Sequence, residues 1–271
     1  MGFLWRLAKR KIDQTVLLPV VYRNIRDELR FRLHEQVKTP IGFWFAGDRS
    51  MEAGTFEPEE TKIVNEFLSK TDVFVDVGAN AGFHSCLARS RDKHVLAVEP
   101  CPGNLRSLFR NLEANSWLDV EVWPIALAQT PGCLTLWGCN TGASLLEGWA
   151  GISKSWKQTV AVNTLDNILG GRFQGSRLFI KVDVEGAEFG CLAGAVATLA
   201  RRPRPVWLVE ICLCEHHPKT NPNFLRTFEI FWRNSYQAFT VGKRHPVSED
   251  DVRKWIDAGT SDSESHNYLF I

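Results

Sequence analysis

"FVDVGANAGFHS", Phe74 to Ser85, sets an apolar run directly against an acid and a glycine. Val73–Val77 is rich in β-branched residues, the composition of a strand buried on both faces. "GANAG", residues 78–82, is small and turn-prone, and a helical pattern begins at about Gly82. Strand, tight turn and helix in that order form the ligand corner of a doubly wound sheet, where ligands sit at the carboxyl ends of strands. The small residues Gly78, Ala79, Ala81 and Gly82 are expected to let a ligand approach the backbone closely. The N–H groups of the turn and the helix start are expected to face polar or anionic parts of that ligand.

The next strand, from His94, ends in Glu99, 21 residues after Gly78. A carboxylate there can accept two hydrogen bonds from a ribose diol, so the ligand carries a nucleoside. A dinucleotide site usually reads G-x-G-x-x-G, with phosphate on the turn. Here Asp76 stands two residues before Gly78, where its charge would repel a pyrophosphate. It suits a ligand with a nearby cationic amino group. S-adenosylmethionine has that group, a ribose and no phosphate. The expected cofactor contacts are Asp76, Gly78, Ala79, Asn80, Gly82, Phe83, Glu99 and Pro100.

Outward from this corner the pattern alternates. "PEETKIVNEFLSK" (58–70) is a helix opening on Pro58 and acids. Strands are expected at Val73–Val77, His94–Glu99, Val120–Ala126, Leu178–Val182, Val206–Ile211, Tyr236–Val241 and Asn267–Ile271, with helices at "PGNLRSLFRNLEAN", from about Glu188, and at "FLRTFEIFWRNS". Such alternation implies crossovers and a mainly parallel α/β sheet with helices on both faces. Residues 131–160 are irregular: "GCLTLW" reads as a hairpin strand and "GCNTGASLLEGWAGISKSW" as a mobile loop near the site. Its Trp137, Trp149 and Trp156 would either stack on sugar rings or pack in the core.

"LFIKVDVEGAE", Leu178 to Glu188, ends a strand at Asp183 and then gathers Glu185 and Glu188. Asp183 is the first candidate for a catalytic base, with His216 or His217 second. Glu185, Glu188 and Ser144 are candidate substrate contacts, the two acids orienting a sugar diol. "EICLCEHHPKTNPNF" (210–224) holds Cys212, Cys214, His216 and His217, but no second cysteine pair at ribbon or finger spacing, so no metal site is expected.

"VDVGANAGFHS", "AVEPCPGNLRSLFRNLEAN", "VAVNTLDNIL", "LFIKVDVEGAE" and "VWLVEI", in this order, resemble the FkbM family of S-adenosylmethionine-dependent methyltransferases. The resemblance covers roughly residues 54–271, from "GTFEPEE" to "SHNYLFI", leaving 1–53 as a helical and aromatic extension. It implies a class I methyltransferase, Rossmann-like fold: seven strands in the order 3-2-1-4-5-7-6, the seventh antiparallel. It also implies O-methylation, commonly of a sugar, glycan, glycolipid or related product. Position by position, Asp76, Gly78, Asn80 and Gly82 fill the first cofactor motif, Glu99 the ribose acid, and Asp183–Gly186 the family's "DVEG". "PIALAQ" offers no acid or amide before Gln129, so adenine recognition by backbone is expected.

The bulk composition adds limits. The 271 residues are 44% hydrophobic and 23% charged with a net charge of +1, which gives no global case for nucleic acid. Residues 1–40 hold nine Lys/Arg against four acids, a local +5, and begin with an amphipathic basic stretch. That start would either pack on the domain or make weak peripheral contact with an anionic membrane face. Its short apolar stretch is broken by Pro19 and argues against a signal peptide. Seven scattered cysteines read as reduced thiols in a cytoplasmic protein. Two rivals stay open on residues alone: an NAD-dependent oxidoreductase, and a non-catalytic Rossmann-like module binding a nucleoside ligand or partner. Asp76 speaks against the first, and Asp183 beside an intact cofactor motif against the second.

Overall fold

The computed structural model describes residues 28–29, 31–217, 219–261, 263 and 266–271. The basic amphipathic stretch at the start lies outside them. Chain order begins with a small hairpin, β1 (Val37–Lys38) and β2 (Trp44–Phe45), then α1 (Arg49–Glu52) and α2 (Pro58–Leu68). The central pattern follows: β3 (Val73–Val77), α3 (Phe83–Arg89), β4 (His94–Val98), α4 (Pro102–Ala114) and β5 (Glu121–Trp123). Next come β6 (Ala126–Leu127), β7 (Gly132–Trp137), β8 (Lys157–Asn163), α5 (Leu165–Leu169), β9 (Leu178–Val182), α6 (Glu188–Ala193) and α7 (Val196–Leu199). The chain closes with β10 (Val206–Glu210), α8 (Phe224–Arg233), β11 (Ala238–Thr240), β12 (Pro246–Val247), α9 (Glu249–Ala258) and β13 (Asn267–Phe270).

The main sheet runs β5-β4-β3-β9-β10-β13-β11-β12. Counting its main strands in chain order, this is 3-2-1-4-5-7-6, with β13 antiparallel to both neighbours. β12 is an added two-residue edge strand. Successive side chains point to opposite faces. Val73, Val75, Val77, Ile180 and Val182 enter one core layer, whereas Phe74, Ala97, Phe179 and Leu208 enter the other.

Two local departures from the expected pattern have physical causes. The strand expected over 120–126 is divided at Pro124, which has no N–H for a ladder: β5 stays in the main sheet, and β6 joins β7 and β8 in a second sheet. Helix α9 was not anticipated. A capping box starts it, Ser248 Oγ accepting from Asp251 N while the Asp251 carboxylate accepts from Ser248 N. Residues 43–46 of the extension pack directly on the main domain. Phe43 and Phe45 are buried against Phe83, and the Asn111 and Asn115 amides bond the backbone of Ala46 and Trp44.

Candidate active site

A cavity opens at the carboxyl ends of β3, β4 and β9, the point where strand order reverses. Asp76, Gly78, Asn80, Glu99, Asp183 and Glu185 all line it. The reason for the small turn residues differs from the expected one. A Cβ on Gly78 would lie 1.7 Å from the Asp183 carbonyl oxygen, and one on Gly82 would lie 2.2 Å from Leu108 Cδ1. These glycines make room for the protein itself. The turn N–H groups are likewise committed: Gly78 and Ala79 both donate to Val98 O, Asn80 to Glu99 Oε2, and Gly82 to Ala79 O. These four are engaged within the protein.

Glu99 is 4% exposed, and burial pushes its pKa up to about 7. Three donors hold it: Asn80 N at 2.8 Å, Cys101 N at 2.7 Å and Asn104 Nδ2 at 3.2 Å. Each carboxylate oxygen has two lone pairs, so Oε1 is fully engaged and Oε2 keeps one site for a ribose hydroxyl. Asp76 is also buried, and its Oδ2 accepts from Ser85 Oγ at 2.6 Å. Pro100, Ala79 and Phe83 line the cavity, whereas Gly82 sits behind the turn as the left-handed residue that starts α3. Ile125, Ala126 and Leu127 supply an apolar wall.

Three residues at the centre were not singled out from sequence. Lys181 is 3% exposed, and the β3–β9 register sets it beside Asp76. Its Nζ bonds Asp183 Oδ2 at 2.7 Å. Burial opposes the Lys181 charge, but Asp183, Glu57 and Asp76 outweigh it and lift its pKa above the usual lysine value. Glu57 reaches the cavity from the turn before α2, and burial pushes its pKa up to about 7. His84 is 5% exposed, and burial, then the charge of Lys181, holds its pKa well below the usual histidine value. One signal was available: Asp76 and Lys181 are single charges in otherwise apolar strands of adjacent register. Nothing local marks Glu57 or His84.

The acids after Asp183 part company. Glu185 lines the cavity, and its Oε2 accepts from Trp149 Nε1 at 2.7 Å. Glu188 is 3% exposed and does not line it. Its Oε1 accepts from Gly186 N at 2.9 Å and Val184 N at 3.3 Å, closing the turn that leads into α6. Ser144, expected to touch substrate, is fully buried and donates to Glu185 O at 2.5 Å. Residues 138–156 are therefore a strap pinned on this turn. Trp149 is core, 1% exposed, and a Cβ on Gly186 would lie 2.5 Å from its indole. His216 and His217 pack on the same indole, at 5.6 and 4.8 Å between ring centroids, and neither lines the cavity. Among the described residues, metal-type donors converge at Cys212, Glu215 and His266, so that of Cys212, Cys214, His216 and His217 only Cys212 belongs to the group. The Glu215 carboxylate is already held by Leu213 N and Cys214 N.

The cavity thus offers a paired carboxylate for a proton, an acid for a ribose hydroxyl, and an excess of negative charge for a cation. A family model described as "Methyltransferase FkbM domain" matches residues 76–238. The chain is similar to an O-methyltransferase from Bacillus cereus solved with SAH, at 12% identity and a TM-score of 0.45, covering 82% of this chain and 83% of that one. It is similar to a putative O-methyltransferase from Klebsiella pneumoniae, at 10% identity and 0.43, covering 83% and 89%. A precorrin-6y C5,15-methyltransferase from Geobacter metallireducens aligns at 12% identity and 0.41, covering 83% and 91%. No curated protein matches the chain.

Proposed function

The chain belongs to the FkbM family of S-adenosylmethionine-dependent methyltransferases, and from that premise we propose that it methylates a hydroxyl of a sugar, glycan or glycolipid. Family membership displaces the NAD-dependent reading. The observation that carries the proposal is Asp183: it ends the central strand β9 at the cavity, and its carboxylate is paired with a buried lysine.

The cavity residues fit the cofactor. Glu99 suits the ribose and Ile125 and Leu127 the adenine face, while Asp76 adds to the negative charge that a cationic amino-acid end would meet. When bound, S-adenosylmethionine supplies a methyl group already activated by its sulfonium. The protein must then align the acceptor, exclude water and remove one proton. Asp183 accepts the hydroxyl proton. Lys181 donates to Asp183 Oδ2 and fixes the orientation of that carboxylate. Glu185, held by Trp149, stands on the same rim to accept hydrogen bonds from a polyol.

The net +5 of residues 1–40 supports weak contact with an anionic membrane face, where a lipid-linked acceptor would be found. The test is incubation with isotope-labelled S-adenosylmethionine and a panel of glycans and glycolipids, read by mass spectrometry. A labelled methyl ether in the panel supports the reading. Label appearing only on nitrogen of other acceptors overturns it.

A further inference from the structure

Two buried polar atoms in the cavity wall have no hydrogen-bond partner: Glu57 Oε2 and His84 Nε2. The other cavity carboxylates are engaged, Asp76 by Ser85, Glu99 by three donors and Asp183 by Lys181. A buried carboxylate oxygen without a donor is costly, so its presence implies a donor that arrives with the ligand.

Glu57 is held there against local preference. It adopts φ 40°, ψ 66°, a left-handed conformation, directly before Pro58. Residues preceding proline favour extended backbone, and non-glycine residues seldom turn left-handed. The surrounding turn imposes it: Thr61 N donates to Glu57 O at 2.7 Å, Thr61 Oγ1 donates to Phe56 O at 2.7 Å, and Glu60 is tied to Asn267 Nδ2. The charges acting on Glu57 are those of Lys181, Asp183, Glu60 and Asp76, three acids against one base. Acids here outnumber the one lysine, which leaves negative charge for a further cation to meet. His84, 5% exposed and pressed by Phe56 and Phe83, adds a neutral polar pole beside it.

We propose that Glu57 and His84 form the receptor for the α-amino-acid end of the cofactor, Glu57 taking its ammonium and His84 its carboxylate. The segment before α2, rather than a strand end, thus completes the cofactor site. This rests on the methyltransferase reading above.

The experiment is calorimetric binding to the full chain, without turnover, of S-adenosylhomocysteine and of 5′-methylthioadenosine, which lacks the amino-acid end. Glu57→Gln should weaken S-adenosylhomocysteine about 10- to 100-fold, the range for losing a hydrogen bond to a charged group, and leave methylthioadenosine unchanged. Glu57→Gly relieves the left-handed backbone and should lose the same affinity with its fold retained, which covers a poorly folding Glu57→Gln. His84→Leu should also discriminate between the two ligands, and more weakly. Equal binding of S-adenosylhomocysteine by wild type and both Glu57 variants overturns the inference. Failure of the wild type to bind either ligand overturns the methyltransferase reading instead.

Discussion

Lys181 and Asp183 form an ion pair at 2.7 Å in which the lysine side chain is 4% exposed and the aspartate 22%. They are two residues apart, one inside β9 and one just beyond its end. The charge of Lys181 is sustained only by the acids around it, and those acids depend on Lys181 in turn. Removing one partner of such a pair leaves the other buried and uncompensated. Lys181→Met is expected to cost about 3–5 kcal/mol of stability, measured by chemical denaturation. A loss below 1 kcal/mol would mean the pair is effectively solvated.

Asp183→Asn tests the chemistry. A positioned base contributes roughly 10²–10⁴-fold, so turnover should fall by about that factor while the cofactor Kd stays near the wild-type value. His216→Ala and His217→Ala are the comparison, since both rings pack on Trp149 outside the cavity. Near-normal turnover in Asp183→Asn with loss in one histidine variant would move the base to the loop after β10.

Two glycine substitutions should behave oppositely. Gly78→Ala drives a Cβ to 1.7 Å from a backbone oxygen at φ +85°. Overpacking and left-handed strain together predict a loss of about 2–5 kcal/mol and disruption of cofactor binding. Gly190→Ala, inside α6 with nothing within 4 Å of its Cβ, should be neutral or stabilising by up to about 1 kcal/mol. Thermal melts of both variants read the contrast, and a Gly78→Ala protein with wild-type stability and binding would contradict the packing described.

Stability of the ligand-free protein should rise as pH falls from about 8 to about 6.5. Burial lifts Glu57, Glu99 and Glu188 to about 7. The folded chain therefore holds more protons than the unfolded chain above the ordinary carboxylate pKa of about 4.3. Folding free energy then weakens as pH climbs through 7. His84 and His217, both held low chiefly by burial, act in the opposite direction once pH drops below about 6.5. The expected profile is a gain down to that point and a shallower gain beneath it, because two histidines oppose three acids. Melting temperatures that climb steadily from pH 6.5 to 8 would show that these acids are ionised in the folded state.

Contact with membrane is tested by flotation on vesicles with and without anionic lipid, comparing the full chain with one beginning at Pro40. Each basic residue near such a surface is worth about 1 kcal/mol, so the full chain should float in a salt-sensitive way and the shorter one should not. Equal partitioning of the two excludes the N-terminal stretch as the contact.

The fold was largely legible because its signals are local. "FVDVGANAGFHS" fixes a strand, turn and helix at once, and the same rhythm recurs at β4–α4 and β9–α6. The corner residues Asp76, Gly78, Asn80, Glu99 and Asp183 could be placed at one cavity for that reason. What escaped is non-local. Glu57 meets Lys181 across more than a hundred residues, and a glutamate before Pro58 looks like an ordinary helix start. Ser144 and Glu188 look like site residues by chemistry, yet their partners are backbone groups of the turn at 184–186. The purpose of Gly78 was misread because the atom that crowds it lies on another strand.

The contact between Gly78 and Asp183 also bears on how the site is divided. Val77 O accepts from Asp183 N at 2.9 Å just beneath it, so the two strand ends form one unyielding floor. The turn carrying Glu57 and the strap carrying Thr141 border the same cavity from segments outside the main sheet. On the reading proposed above, the proton acceptor is part of that floor, whereas these bordering segments carry none of the transfer chemistry.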